Sequence, residues 1–75
     1  DRSYNARAII SGFRKAAGYD NSEKVAEILG VSKPTYLTYE KTPWKMTLAT
    51  LDRLEELYGE EFVDFFWKHK LYKQK

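Results

Sequence analysis

The sequence predicts an all-α domain of four to five short helices. Apolar residues recur at three- and four-residue spacing between the glycines and prolines, which is the period of a helix. No stretch alternates apolar and polar residues convincingly, so a sheet is not expected. The chain has 75 residues, of which 43% are hydrophobic and 16% aromatic. These values are typical of one globular domain with a single core.

The first helix is predicted within residues 3–18. Gly12 lowers its intrinsic stability by ~1 kcal/mol relative to alanine, and Gly18 is placed to end it. One face carries apolar residues at helical spacing: Ile9, Ile10, Phe13, Ala16 and Ala17. We expect this face to pack on the core.

The second helix is predicted to begin near residue 21 and to end at Gly30. Asp20 with Glu23 three residues later resembles a capping box, and Asn21 is the competing N-cap. The apolar stripe of this helix consists of Val25, Ala26, Ile28 and Leu29.

The third helix is predicted over residues 32–41. Ser32 is an N-cap type, and Pro34 is tolerated in the first turn because no helical acceptor faces its missing N–H. Thr42-Pro43 ends the helix, and residues 42–46 form a loop. The residues expected to face inward are Thr35, Tyr36 and Tyr39. Those expected to face outward are Lys33, Pro34, Leu37, Thr38 and Lys41.

A fourth helix is predicted to start at a Thr47 cap and stop at Gly59, and a fifth spans about residues 60–73. The inward face of the fourth helix comprises Leu48, Leu51, Leu54, Leu57 and Tyr58. Acids at the start and lysines at the end of the fifth suit the helix dipole. Its core stripe comprises Phe62, Phe65, Phe66, His69 and Tyr72; Val63 and Trp67 face elsewhere, with Leu71 a further candidate. Residues 68–75 are expected to form a frayed helix end.

The composition excludes several classes of protein. Without cysteine there is no disulfide framework and no thiolate metal site, which fits a reducing compartment. No run approaches the ~18 apolar residues of a membrane span, so we expect a cytoplasmic protein with no membrane partner. The formal net charge of +2 does not by itself indicate nucleic-acid binding, although the basic excess lies in residues 1–51 and in the C-terminal tail.

No constellation of residues indicates catalysis or a cofactor. His69 is the sole histidine and has no cysteine beside it, so a metal site is not expected. The acidic residues between positions 52 and 64 are interpreted as a solvated face, because paired catalytic carboxylates need a cleft. The sequence has no glycine-rich phosphate loop and no nucleophile elbow. We therefore predict a protein that is not an enzyme.

The segment KVAEILGVSKPTYLTYEK, residues 24–41, resembles the core of the Cro/C1-type (lambda-repressor-like) helix-turn-helix family of phage repressors and bacterial regulators. The matching features are Ala26, the turn at residues 29–32, Thr35, the aromatic residues Tyr36 and Tyr39, and Glu40. MTLATLDRLEELYG, residues 46–59, also resembles the fourth helix of that family. The resemblance covers roughly residues 9–59, with the helix-turn-helix unit at about 21–41 of a single domain, 1–75.

The resemblance implies a sequence-specific transcriptional regulator whose third helix enters the major groove of double-stranded DNA. It places base contacts at Ser32, Lys33, Pro34, Thr35 and Thr38. It places phosphate contacts at Arg14, Ser22, Lys41 and Lys45. Arg14 would be held by Glu40, as a guanidinium aimed at a phosphate or as an ordinary ion pair between helices, and Lys15 is its rival for this position. Such regulators bind paired half-sites, so a homodimer is expected.

Three departures from the family pattern favour an alternative function. Pro34 stands where the family commonly has a base-reading glutamine, Leu37 is apolar at a usually polar position, and Thr42 replaces a glycine. The alternative is a protein-binding modulator or antirepressor that keeps the fold and engages a cognate repressor. The candidate residues for such a partner interface are Leu37, Trp44, Val63 and Trp67, because clustered exposed aromatic and apolar groups are typical of interfaces.

Overall fold

The computed structural model describes residues 6–73, and within them it contains five α-helices and no strand. The helices are α1 (Ala6–Ala16), α2 (Ser22–Leu29), α3 (Lys33–Lys41), α4 (Leu48–Tyr58) and α5 (Glu60–Lys68), with a short 3₁₀ helix at Pro43–Lys45. The predicted all-α class is therefore confirmed. None of these helices combines the length and the apolar character needed to cross a bilayer.

The core lies where all five helices meet. Its buried apolar side chains are Ile10, Val25, Ala26, Tyr36, Leu51, Leu54, Tyr58, Phe62, Phe66 and Leu71. Phe62 is central, because its ring makes edge-to-face contacts with Phe13 of α1 and Tyr58 of α4. Such contacts stabilise aromatic pairs by about 0.5–1.5 kcal/mol beyond their burial.

The buried face of α1 differs from the prediction. Ala16 and Ala17 are exposed, whereas Arg14 is buried together with Ile10, one turn earlier. Ala16 is the last residue of the helix and Ala17 begins the turn that leaves the core. The predicted start of this helix at residues 3–5 lies outside the described residues.

Local hydrogen bonds fix both ends of α2. The Asn21 side chain accepts a bond of 2.7 Å from the Glu23 amide, so Asn21 is the N-cap. At the other end Gly30 has φ +77°, a conformation that favours glycine. Its amide donates to Glu27 O and the Val31 amide donates to Ala26 O, which is the pattern of a Schellman turn. Val31 then packs against the core.

Helix α3 turns two residues into the core, Tyr36 and Glu40. Thr35 is exposed, so the prediction that it faces inward is wrong, because one residue before Tyr36 it lies about 100° round the helix. Leu37, predicted to face outward, is half-buried and packs against the core. Ser32 is the N-cap, as predicted. At the C-terminus the Thr42 hydroxyl donates to Thr38 O at 2.8 Å and supplies a side-chain cap in place of a glycine turn.

Helix α4 begins at the predicted Thr47 cap, whose hydroxyl accepts from the Thr50 amide at 3.1 Å. Leu48 is 70% exposed, contrary to the prediction, because the first turn of α4 extends past the core that covers Leu51 and Leu54. Gly59, with φ +97°, allows α5 to start immediately after α4.

Helix α5 ends at Lys68, earlier than predicted, and the chain turns back on the core. Lys70 has φ +54°, and the Leu71 amide donates to Phe66 O at 2.9 Å. Leu71 is thereby buried in the core. His69 and Tyr72 were predicted to pack on the core, but both are exposed, so that prediction is wrong. The expectation of a frayed end is therefore wrong for residues 69–71.

Candidate nucleic-acid interface

The residues predicted to contact bases all lie on the exposed side of α3 and its N-cap. Ser32, Lys33, Pro34, Thr35 and Thr38 are each exposed. They are brought together because Tyr36 and Glu40 bury the opposite side of the same helix. These five residues therefore present hydroxyls, one ammonium group and a proline ring to solvent.

The turn before α3 fixes where this exposed side begins. Gly30 and Val31 close the Schellman turn, and Ser32 caps α3 within two residues of it. The Ser32 hydroxyl oxygen accepts from the Thr35 amide at 3.3 Å and donates to Thr35 Oγ1 at 2.9 Å. Helix α3 packs mainly against α2 and α1, so the angle at which it projects is set by these two helices.

A buried ion pair holds the C-terminal half of α3 from behind. Arg14 Nε donates to Glu40 Oε2 at 3.0 Å, and Arg14 Nη1 donates to Tyr19 O at 3.0 Å and Asp20 O at 2.7 Å. The predicted pairing of Arg14 with Glu40 is confirmed, and the rival Lys15 is exposed. One guanidinium thus ties α1, the α1–α2 connection and α3 together.

Two of the expected phosphate contacts are buried. Arg14 is 7% exposed and Ser22 is 8% exposed. A phosphate oxygen approaching from solvent therefore reaches little of either side chain. Lys41 and Lys45 are exposed at the end of α3 and in the 3₁₀ helix that follows.

Two tyrosines extend the polar network into the core, and the sequence prediction missed this. The hydroxyls of Tyr36 and Tyr58 lie 2.5 Å apart. Burial, followed by hydrogen bonding to Tyr58 and to Glu40, raises the pKa of Tyr36 well above its ordinary value. Burial raises the pKa of Tyr58 to about 12. The signal that was available is the choice of tyrosine over phenylalanine at two core positions, since a buried hydroxyl needs a partner.

The outward face of α2 beside the start of α3 is not basic. Glu23, Lys24 and Glu27 line a shallow groove of about 580 Å³ that Lys33 borders. Lys24 Nζ lies 3.8 Å from Glu27 Oε1 in an exposed pair, which offsets its charge locally. This face of α2 therefore offers a phosphate a mixed surface, with two acids beside one lysine.

The four residues predicted to contact a protein partner do not form one surface. Leu37 and Val63 are half-buried and pack against the core, and Trp44 is half-buried in the 3₁₀ helix. Trp67 is 46% exposed, and its ring centroid lies 5.2 Å from that of Tyr72, which is 42% exposed. Among residues 6–73, Trp67 and Tyr72 are the exposed large aromatic hydrophobic side chains, and the sequence predicted the first of them.

The described residues contain no group of three His, Cys, Asp or Glu side chains that could hold a metal ion. His69 stacks on Phe65 with ring centroids 4.1 Å apart. The His69 ring, just after the end of α5, thus packs on an aromatic side chain of that helix.

Comparison with known proteins finds one relevant similarity. The chain is 46% identical over 39 residues to the cryptic phage CTXphi transcriptional repressor RstR of Vibrio cholerae. The match covers 52% of this chain and 35% of that repressor, so the chain corresponds to only part of the repressor's length. No family model matches the chain, and no solved structure matches it. The chain is therefore similar in part to a phage transcriptional repressor.

Proposed function

We propose that this protein is a sequence-specific DNA-binding transcriptional regulator of the Cro/C1 helix-turn-helix type, and not an enzyme. The observation that carries the proposal is the exposed side of α3, where five potential base contacts lie on one helix that is anchored from behind. The partial similarity to the repressor RstR supports it. We treat residues 1–75 as a single domain whose helix-turn-helix unit is about 21–41.

In this proposal α3 enters the major groove with its N-terminal end against the base edges, as second helices of such units do. The Lys33 ammonium group donates to guanine O6 or N7, and the Pro34 ring contacts a thymine methyl. The hydroxyls of Thr35 and Thr38 bond to further base edges. Ser32 contributes mainly as the cap that holds the first turn, because its hydroxyl is already bonded to Thr35.

Phosphate contacts come from the exposed lysines in this proposal. Lys41 and Lys45 follow the base-reading residues along the chain and are free of cover. Arg14 and Ser22, for which phosphate contacts were also predicted, are too buried to supply a direct contact. We assign Arg14 a positioning role instead, because its bonds to Glu40 and to the α1–α2 connection set how α3 projects.

The test compares two double variants on a DNA duplex selected from a random pool and on unselected DNA. Lys33→Ala with Thr38→Ala should lower affinity for the selected duplex and leave affinity for unselected DNA nearly unchanged. Lys41→Ala with Lys45→Ala should lower the affinity for both DNAs by a similar factor. It should also reduce the slope of log K against log salt by about 2, one unit per lost phosphate contact.

Lys68→Ala with Lys73→Ala is the matched control, because it removes the same charge from exposed positions at the other end of the chain. It should change neither the discrimination nor the salt slope by a comparable amount. If the variant that lacks Lys33 and Thr38 discriminates as well as the unmodified protein, α3 is not the base-reading helix.

A second candidate function is favoured by the exposed pair Trp67 and Tyr72. Large aromatic groups in solvent are enriched at protein interfaces, and a homodimer on paired half-sites or a contact with a cognate repressor would cover them. A protein that acts only as an antirepressor would leave DNA unshifted on its own and change the shift produced by that repressor. A gel shift with and without the repressor therefore separates the two functions.

A further inference from the structure

The two exposed threonine hydroxyls of α3 differ in hydrogen-bond direction. Thr35 Oγ1 accepts a bond of 2.9 Å from the Ser32 hydroxyl. Thr38 Oγ1 instead donates its hydrogen to Pro34 O, also at 2.9 Å. Since a threonine hydroxyl has one hydrogen and two lone pairs, Thr35 keeps its hydrogen for an outside group, whereas Thr38 keeps its lone pairs.

The position of Thr38 makes this direction consequential. Thr38 lies one turn after Pro34 on the side of α3 away from Tyr36 and Glu40. The cap hydroxyl of Thr42 bonds to the Thr38 backbone oxygen and does not occupy its side chain. The Thr38 hydroxyl therefore directs its hydrogen to Pro34 O in the preceding turn and leaves the lone pairs of its oxygen for an outside group.

We propose that Thr38 is a specificity-determining residue that accepts a hydrogen bond from the exocyclic amino group of adenine or cytosine, whereas Thr35 donates to a base acceptor. The inference rests on the proposed function and adds the chemical class of base that each hydroxyl selects. In the major groove adenine N6 and cytosine N4 are donors, and guanine O6 and thymine O4 are acceptors. A keto oxygen facing Thr38 can be bonded only if the bond to Pro34 O is given up, so amino bases are selected there.

The experiment uses the duplex that the unmodified protein selects from a random pool. Each adenine in it is replaced in turn by purine and each cytosine by 2-pyrimidinone, which removes the amino group and keeps the ring. Binding is measured for the unmodified protein, Thr38→Val, Thr38→Ser and Thr42→Val. Valine matches threonine in shape, serine keeps the hydroxyl, and Thr42→Val removes the same type of side-chain bond to the backbone one turn later.

We expect the analogue at one position to lower the affinity of the unmodified protein for the duplex about fivefold. This factor corresponds to the loss of one hydrogen bond. Thr38→Ser and Thr42→Val should lose affinity by about the same factor as the unmodified protein at that position. Thr38→Val should lose less than about twofold in affinity at that position. Thr35→Val is the control at the other hydroxyl: because Thr35 donates and does not accept from an amino group, this variant should keep the response that Thr38→Val loses.

Equal responses of the unmodified protein and Thr38→Val at every position would overturn the inference about Thr38. Specific binding by the unmodified protein would then still support the proposed function. If no duplex is enriched from the pool, the proposed function fails, and the inference fails with it.

Discussion

Helices α3 and α5 each have nine residues and each bury two side chains four positions apart, but the chemistry of these side chains differs. In α3 they are Tyr36 and Glu40, and in α5 they are Phe62 and Phe66. Glu40 is held by a directional bond to Arg14, whereas the rings of α5 are held by burial and, for Phe62, by edge-to-face contacts with Phe13 and Tyr58. Polar anchors fix the rotation of a helix about its axis, and apolar packing tolerates changes of shape. The helix that we propose to read bases is the one whose rotation is fixed.

The largest expected effect comes from emptying the centre of the aromatic packing. Phe62→Ala should lower the free energy of unfolding by about 4 kcal/mol, because it removes a fully buried ring and leaves a cavity. A domain of this size has about 4–11 kcal/mol in total, so chemical denaturation should find the variant partly unfolded. A loss below about 1 kcal/mol would mean that α5 does not supply the core.

The comparison is sharpened by substituting one buried side chain on each of the two helices. Glu40→Gln should cost about 3 kcal/mol, because it leaves the buried Arg14 guanidinium without its counter-charge. Phe66→Leu should cost only about 1 kcal/mol, because the site stays apolar. Both are measured by denaturant midpoint.

The exposed pair of Lys24 and Glu27 provides the control for the charge change itself. Glu27→Gln should alter stability by less than about 0.5 kcal/mol, because both side chains are solvated. If Glu40→Gln proves as mild as Glu27→Gln, the bond to Arg14 is not what holds α3.

The turns that follow α2 and α5 have the same hydrogen-bond pattern, so the effect of the residue in the left-handed position can be compared between them. We expect smaller effects on stability here than in the core. Gly30 occupies the left-handed position after α2 and Lys70 occupies it after α5. Gly30→Ala should destabilise by about 1 kcal/mol, since open space around Gly30 leaves only backbone strain. Lys70→Gly should stabilise by up to about 1 kcal/mol for the converse reason.

Gly12→Ala separates strain from the general preference of helices for alanine. Gly12 lies inside α1, its φ is not positive and a Cβ there meets no atom within 4 Å, so alanine should stabilise by up to about 1 kcal/mol. In thermal unfolding the midpoint temperature should therefore fall for Gly30→Ala and rise for Lys70→Gly and Gly12→Ala. A higher midpoint for Gly30→Ala would contradict the strain argument.

The sequence predicts the caps of α2, α3 and α4 well because their causes are local. Ser32 and Thr47 cap the helices as expected, and Gly30 ends α2, since each cap depends on atoms within a few residues. The positions of Leu48 and Leu71 are predicted wrongly because they depend on tertiary structure. The first turn of α4 extends past the core, and the turn after α5 brings Leu71 back to it. Periodicity gives the face of a helix and not the extent of the neighbour that covers it.

The candidate site divides in the same way. The exposure of Lys33, Pro34 and Thr38 follows from the period of α3 and is confirmed, and so is the bond between Arg14 and Glu40. The depth at which that bond is buried and the direction of the Thr38 hydroxyl depend on three-dimensional neighbours and on rotamers, which no spacing rule contains.

The last comparison concerns the Tyr58 hydroxyl, which bonds to the buried Tyr36 of α3. At neutral pH, Tyr58→Phe should cost about 1 kcal/mol, because it removes the bond between the Tyr58 and Tyr36 hydroxyls. Burial raises the pKa of Tyr58 from 10.0 to about 12, so the unfolded chain ionises first and the protein loses stability as pH rises from 10 towards 12. Phenylalanine does not titrate, so the stability advantage of the protein over the variant should fall over that interval and then reverse, since the loss reaches about 2 kcal/mol near pH 12 and exceeds the contribution of the bond. Denaturation at stepped alkaline pH measures this difference in the free energy of unfolding, with Tyr72→Phe as the exposed control.

A difference that stays constant above pH 10 would mean that Tyr58 is as free to ionise in the folded domain as in the unfolded chain, and that the polar anchoring of α3 ends at Glu40.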